Sequence, residues 1–254
     1  MFLERHVVGL LYVLSFGVCF FSYTARGAPE SVSQALFSRS EYALFFLLVA
    51  LAAATKQGDY YFFTKPLPIL MLIFKTMDSE SSLILYGLLF GLVGDLVLVF
   101  YWRWRGALIV GAWSFLFGHV CYGLAYAVVP ISMGRSLWVT WLGLFVIFMH
   151  EYFYFMKQTA PFLEFFFGLF YWTAISLMML AAANAQHFFW YEAGGGFPFA
   201  FLGGFCFVLS DFCVHWSIYV QPNQKIFDKL ILPLYYVSQL FIVSSAPALA
   251  AFAK

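Results

Sequence analysis

The chain has 254 residues, of which 64% are apolar and 10% charged, and its formal net charge is +1. A soluble domain carries roughly 45–50% apolar and about 25% charged residues, and a soluble fold of this length has no way to hide the excess apolar surface. The 13 lysines and arginines are scattered rather than gathered in a basic stripe, which argues against a nucleic-acid partner. What remains is an all-α protein, a polytopic transmembrane helical bundle whose apolar side chains can face lipid.

Crossing the hydrocarbon core takes about 20 apolar residues in a helix. That requirement selects segments near 6–23, 41–56, 64–77, 82–101, 107–129, 137–156, 161–183, 198–220 and 230–250. The first follows Arg5 and precedes Thr24-Ala25-Arg26-Gly27-Ala28, which resembles a secretory signal peptide. Its apolar run is long for a signal, and it reads better as an uncleaved extra helix. The third begins at Lys65-Pro66 and is short; it extends back through Tyr60-Tyr61-Phe62-Phe63 or is tilted. The connections are short and polar, and the loop at 184–197 has no Lys or Arg. This reading divides the chain into an extra N-terminal segment and loop, 1–40, and one helical membrane domain, 41–254. We see no internal repeat.

The Lys/Arg bias between the two sides favours a cytoplasmic N-terminus. Aromatic residues make up 23% of the chain, and their clusters near helix ends suit interfacial anchoring, or a greasy slot for an acyl chain. Cys19, Cys121, Cys206 and Cys213 sit in apolar runs without CxxC spacing and read as small buried hydrophobes.

Charged groups deep in a membrane are expensive and therefore informative. Asp95 lies in Gly91-Leu92-Val93-Gly94-Asp95, with no Lys or Arg within a turn, where the glycines permit close approach of a helix or ligand. Asp211 is central in its segment, and His215 shares its face at i+4, as a proton relay or as paired metal ligands would require. His119 is central in its own segment, with Tyr122 three residues on. Lys65 either snorkels to the interface or binds a phosphate there. Tyr235, Tyr236 and Gln239 on the last helix suit either a ligand's polar head or interhelix hydrogen bonds. His150-Glu151 reads as interfacial. Two deep aspartates invite a paired-carboxylate mechanism, one as acid and one as base. The expectation is that Asp95, His119 and Asp211 line one interior cavity, with the aspartates within reach of each other or of one ligand atom.

Lys65-Pro66-Leu67-Pro68, Gly91-Leu92-Val93-Gly94-Asp95, Gly118-His119-Val120-Cys121-Tyr122, Leu209-Ser210-Asp211 and Tyr235-Tyr236-Val237-Ser238-Gln239-Leu240 occur in this order. This ordered set, over roughly residues 41–248, resembles the lysoplasmalogenase or YhhN-like family. The family has eight helices, so segment 6–23 is an addition to it. The resemblance implies hydrolysis of the vinyl ether of a lysoplasmalogen to a fatty aldehyde and a glycerophospho-alcohol. It implies Asp95 and Asp211 as catalytic residues, and Lys65, His119, Tyr122, Ser210, Tyr235, Tyr236 and Gln239 as substrate-binding residues. No metal or organic cofactor is needed. The implied partner is a lysophospholipid entering from the bilayer, among membrane lipids, in the endoplasmic reticulum of a eukaryote or the inner membrane of a bacterium. The competing classes are a proton-coupled carrier and a metal-dependent lipid hydrolase using His119, Asp211 and His215. Headgroup preference and oligomeric state are not legible.

Overall fold

Long apolar runs punctuated by Pro, Gly and short polar turns fold, among the described residues, into helices alone. The structure, a computed structural model, describes residues 38–252 except 57, 59, 78–80, 102, 105, 133, 135–137, 139–141, 143–144, 147–148, 150–152, 154–161, 192–198 and 221–224. The described elements are α1 (Arg39–Thr55), a single turn α2 (Tyr61–Thr64), α3 (Leu67–Met77), α4 (Ser82–Leu98), α5 (Gly106–Tyr126), α6 (Phe162–Tyr191), α7 (Phe199–His215) with a π-helical turn Trp216–Val220, and α8 (Lys225–Phe252). The four spans Gly106–Tyr126, Glu164–Phe189, Phe199–Tyr219 and Phe227–Ala250 are long and apolar enough to cross a membrane, and Ser82–Leu98 is a shorter apolar helix. The chain is an all-α membrane bundle. The segment 6–23, the pair His150-Glu151 and most of segment 137–156 lie outside the described residues.

Local chemistry sets the helix ends. Ser38 caps α1 in a capping box: its hydroxyl accepts from the Glu41 N–H at 3.3 Å, and the Glu41 carboxylate accepts from the Ser38 N–H at 2.6 Å. Pro66 has no N–H to continue a helix, and the chain breaks at Lys65-Pro66 between α2 and α3. The short third segment therefore does extend back to Tyr61, but with a step in it. Residues 184–191, expected in a loop, continue α6. The run Ala181-Ala182-Ala183-Asn184-Ala185 explains this, because alanine is the best helix former and nothing there stops the helix. Similarly, α8 starts at Lys225, earlier than its apolar run, with Asp228 in its first turn where the helix dipole favours it.

Glycines let the helices approach. α4 packs most extensively on α5, and α8 on α7. A side chain at Gly118 would sit 3.2 Å from the Gly87 carbonyl, and one at Gly203 would meet the Ile242 N–H at 3.0 Å and the Ser238 carbonyl at 3.2 Å. Leu47, Phe74, Leu124 and Phe170 point outward, as suits a lipid-facing surface. Lys56 pairs with Asp228 at 2.7 Å, and Lys75 with Glu41, tying α1 to α8 and α3 at the periphery. Such exposed pairs are each worth about 0–1 kcal/mol. Of the cysteines, Cys213 is buried, whereas Cys121 and Cys206 are half-buried; all three are free.

Candidate active site

The end of α4, the starts of α5, α6 and α8, and the end of α7 gather at one end of the bundle. They enclose a cavity of about 160 Å³. Its wall is mainly apolar, with Leu98, Phe115, Phe167 and Leu232 among its residues, and its polar groups are few: Lys65, Asp95, Glu164, Tyr171, Ser210, Asp211, His215, Tyr219 and Tyr235. An apolar cavity with a few convergent polar side chains has the form of a small-molecule site.

On one side stands Asp95, only 2% exposed. Lys65 is as deeply buried, at 6%, and its ammonium lies 3.3 Å from Asp95 Oδ1 and donates to the Asp95 backbone carbonyl at 3.2 Å. Tyr235 donates its hydroxyl to Asp95 Oδ2 at 2.9 Å. Tyr236 donates to the Lys65 carbonyl at 2.7 Å, which satisfies a backbone acceptor freed by the break at Pro66. Lys65 is therefore turned into the bundle, onto Asp95. A buried carboxylate without a counter-ion is costly, and Lys65 supplies that counter-ion.

On the other side stands Asp211, on α7. Tyr171 from α6 donates to Asp211 Oδ2 at 2.6 Å. His119 Nε2 lies 3.1 Å from the same Tyr171 oxygen and 3.5 Å from Asp211 Oδ2. Because the single phenolic proton goes to Asp211, the Tyr171 oxygen accepts from His119, and the ring proton is assigned to Nε2. His119 Nδ1 is buried without a partner among the described residues.

The sequence-derived residues thus divide. Lys65, Asp95, Ser210, Asp211 and Tyr235 line the cavity together. His119, expected to line it, stands behind Tyr171 and reaches Asp211 from there. Asp95 and Asp211 do not bond each other; they share the cavity wall. Tyr122, Tyr236 and Gln239 are not among the lining residues. Tyr122 donates to Gln239 Oε1 at 2.6 Å, a buried bond between α5 and α8, and Gln239 Nε2 has no partner among the described residues. Ser210 lines the cavity, but its proton is committed to the Ile231 carbonyl at 3.1 Å. His215 packs edge-on against Trp172 and beside Tyr219, with ring centroids 6.2 and 5.4 Å away. Among the described residues no three His, Cys, Asp or Glu side chains converge as metal ligands.

Sequence reasoning missed Tyr171 and Glu164. Tyr171 stands in the aromatic run Phe165-Phe166-Phe167-Gly168-Leu169-Phe170-Tyr171-Trp172, which reads as packing or interfacial anchoring. Nothing in the run separates a tyrosine that bonds a carboxylate from its neighbours. Glu164 accepts from Tyr219 at 2.7 Å at the start of α6. The available signal was an acidic residue at the edge of an otherwise apolar span.

Residues 60–246 match the model of the YhhN family, an interval that contains every residue lining the cavity. No match was found among curated proteins or among solved structures.

Proposed function

Since the chain belongs to the YhhN family, we propose that it is a lysoplasmalogenase-like membrane hydrolase, which cleaves the vinyl ether of a lysoplasmalogen to a fatty aldehyde and a glycerophospho-alcohol. The observation that carries the reading is the shared wall: Asp95 and Asp211, from helices far apart in sequence, face one largely apolar cavity that reaches the end of the bundle.

The chemistry asks for what such a wall holds. A vinyl ether reacts by protonation of its outer alkene carbon, which leaves an oxocarbenium-like cation. Water adds to give a hemiacetal, and this collapses to aldehyde and alcohol. One carboxyl group supplies the proton, a second draws a proton from water, and nearby negative charge stabilises the cation, as in glycosidases. Apolar walls suit the alkenyl chain, which enters from the bilayer. In this reading Lys65 neutralises Asp95 rather than holding the lipid phosphate, which lies toward the cavity mouth.

Incubating detergent-purified protein with a lysoplasmalogen tests the proposal. The expected result is equal release of aldehyde and glycerophospho-alcohol, with the saturated alkyl-ether analogue left intact, since it has no alkene to protonate. Release of a fatty acid from an ester lysophospholipid, without aldehyde from the vinyl ether, would overturn it.

A further inference from the structure

We propose that the seam between α5 and α6, at Ala112 and Gly168, is a lateral portal in which the alkenyl chain of the single-chain lipid lies while its vinyl ether stands at the wall shared by Asp95 and Asp211. The proposal rests on the vinyl-ether reading for its substrate, and it adds the route of the chain and the two residues that limit it. The cavity is small for a lipid. Its volume of about 160 Å³ is below the roughly 300–1,000 Å³ of pockets that enclose a drug-sized ligand. It therefore takes the reacting end of a long-chain lipid, and the rest of the chain has to leave between two helices.

The seams around the cavity are closed unequally. α4 and α5 are joined by the Ser114 hydroxyl, which donates to the Phe90 carbonyl at 2.6 Å, and a side chain at Gly111 would meet Leu98 at 2.8 Å. Tyr235 joins α8 to α4 by donating to Asp95 at 2.9 Å, and Ser210 joins α7 to α8 by donating to the Ile231 carbonyl at 3.1 Å. α6 is joined to α7 and the turn after it by Tyr171 on Asp211 at 2.6 Å and by Tyr219 on Glu164 at 2.7 Å. Between α5 and α6 the hydrogen bond of His119 with Tyr171 lies further along both helices. Nearer their starts these two helices meet through the rings of Trp113 and Phe167, with centroids 4.9 Å apart. Parting a ring contact leaves no buried donor or acceptor unsatisfied, so it costs less than breaking the hydrogen bonds that close the other seams.

The ring pair also leads from the cavity to the surface. Phe167 lines the cavity, and Trp113, on which it packs, is 44% exposed. The residues next to these two in sequence, Ala112 and Gly168, both line the cavity and are the smallest on its wall. Outside, Phe117, Phe166 and Phe170 are exposed and continue the apolar surface along both helices. A chain that passes Ala112 and Gly168 stays among apolar side chains, and its outer methylenes remain in the hydrocarbon of the bilayer. Added bulk at either position narrows the passage for a long chain, whereas a chain short enough to end inside the cavity never reaches it.

The test combines photolabelling with kinetics. The full chain, reconstituted in phospholipid nanodiscs, is irradiated with a saturated alkyl-ether lysophospholipid that carries a diazirine midway along its chain, and the adducts are located by peptide mass spectrometry. The expected result is labelling of residues 108–117 and 164–170 that excess unlabelled alkyl-ether lysophospholipid removes. This reading does not require turnover, so it stands even where wild-type protein releases no aldehyde and the vinyl-ether reading itself fails. Labelling there that the competitor leaves untouched, as bulk lipid around the helices would give, overturns the proposal, and so does competed labelling confined to α7 and α8. In the kinetics, G168L and A112L should lower kcat/KM for a long-chain hexadecenyl substrate at least about tenfold more than for its short-chain butenyl analogue, the scale on which a filled apolar pocket discriminates. L124F, which adds bulk on the lipid-facing side of α5 away from the cavity, should leave the ratio of the two at its wild-type value. If G168L does not fold, A112L carries the comparison, and the photolabelling of wild-type protein needs neither. Equal losses on both chain lengths in a folded variant contradict the portal.

Discussion

Lys65 and Asp95, 30 residues apart, meet at 3.3 Å with side chains 8% and 2% exposed. Removing one partner of a buried pair strands the other, at a typical cost of about 3–5 kcal/mol. Lys65→Met should therefore lower the thermal unfolding temperature in detergent substantially. In the fraction that folds, kcat should fall more than KM rises, because Asp95 has lost its counter-ion. A raised KM with kcat intact would move Lys65 to the lipid phosphate, as the sequence first suggested.

Helix approach at Gly203 should be intolerant. An added methyl group there meets Ile242 Cγ1 at 2.8 Å and backbone atoms of α8 at 3.0 and 3.2 Å. Gly203→Ala should destabilise by roughly 1–3 kcal/mol, the usual cost of overpacking. Gly123→Ala, where the nearest atom is Met178 Cα at 3.5 Å, should be near neutral. Thermal unfolding of the two variants side by side checks the contrast.

His215 lies against Trp172 and Tyr219. His215→Ala should reduce aldehyde release by less than about tenfold, a packing effect, whereas loss of an essential acid or base costs about 10²–10⁴-fold. Equal losses in His215→Ala and Asp95→Ala would bring His215 into the chemistry.

The proposed reaction needs a proton donor more than a Lewis acid, because a vinyl ether has no carbonyl to polarise. Activity should survive exhaustive treatment with EDTA or phenanthroline. Loss on chelation, restored by stoichiometric zinc, would make His119, Asp211 and His215 the ligands to test.

Most of the described helices were legible because lipid demands long apolar runs, and Asp95, His119 and Asp211 stood out because each interrupts one. Their partners were not legible. That Lys65 turns inward depends on the step at Pro66 and on where α4 packs, which are tertiary facts. Tyr171 looks like any aromatic residue until Asp211 is placed beside it. Tyr122 and Gln239 carry the residue types of a ligand site, yet they bond each other across α5 and α8. From sequence alone, a polar group buried for packing and one facing a cavity look the same.

The most direct test of the central claim is single-turnover aldehyde release from a lysoplasmalogen by wild-type, D95N and D211N protein, each shown to be folded by its unfolding temperature. Asn keeps the shape of Asp and removes the ionisable group. The account predicts stoichiometric aldehyde from wild type and a fall of at least about 100-fold in both variants, the lower end expected for an essential acid or base. Near-normal aldehyde release by folded D95N would contradict it.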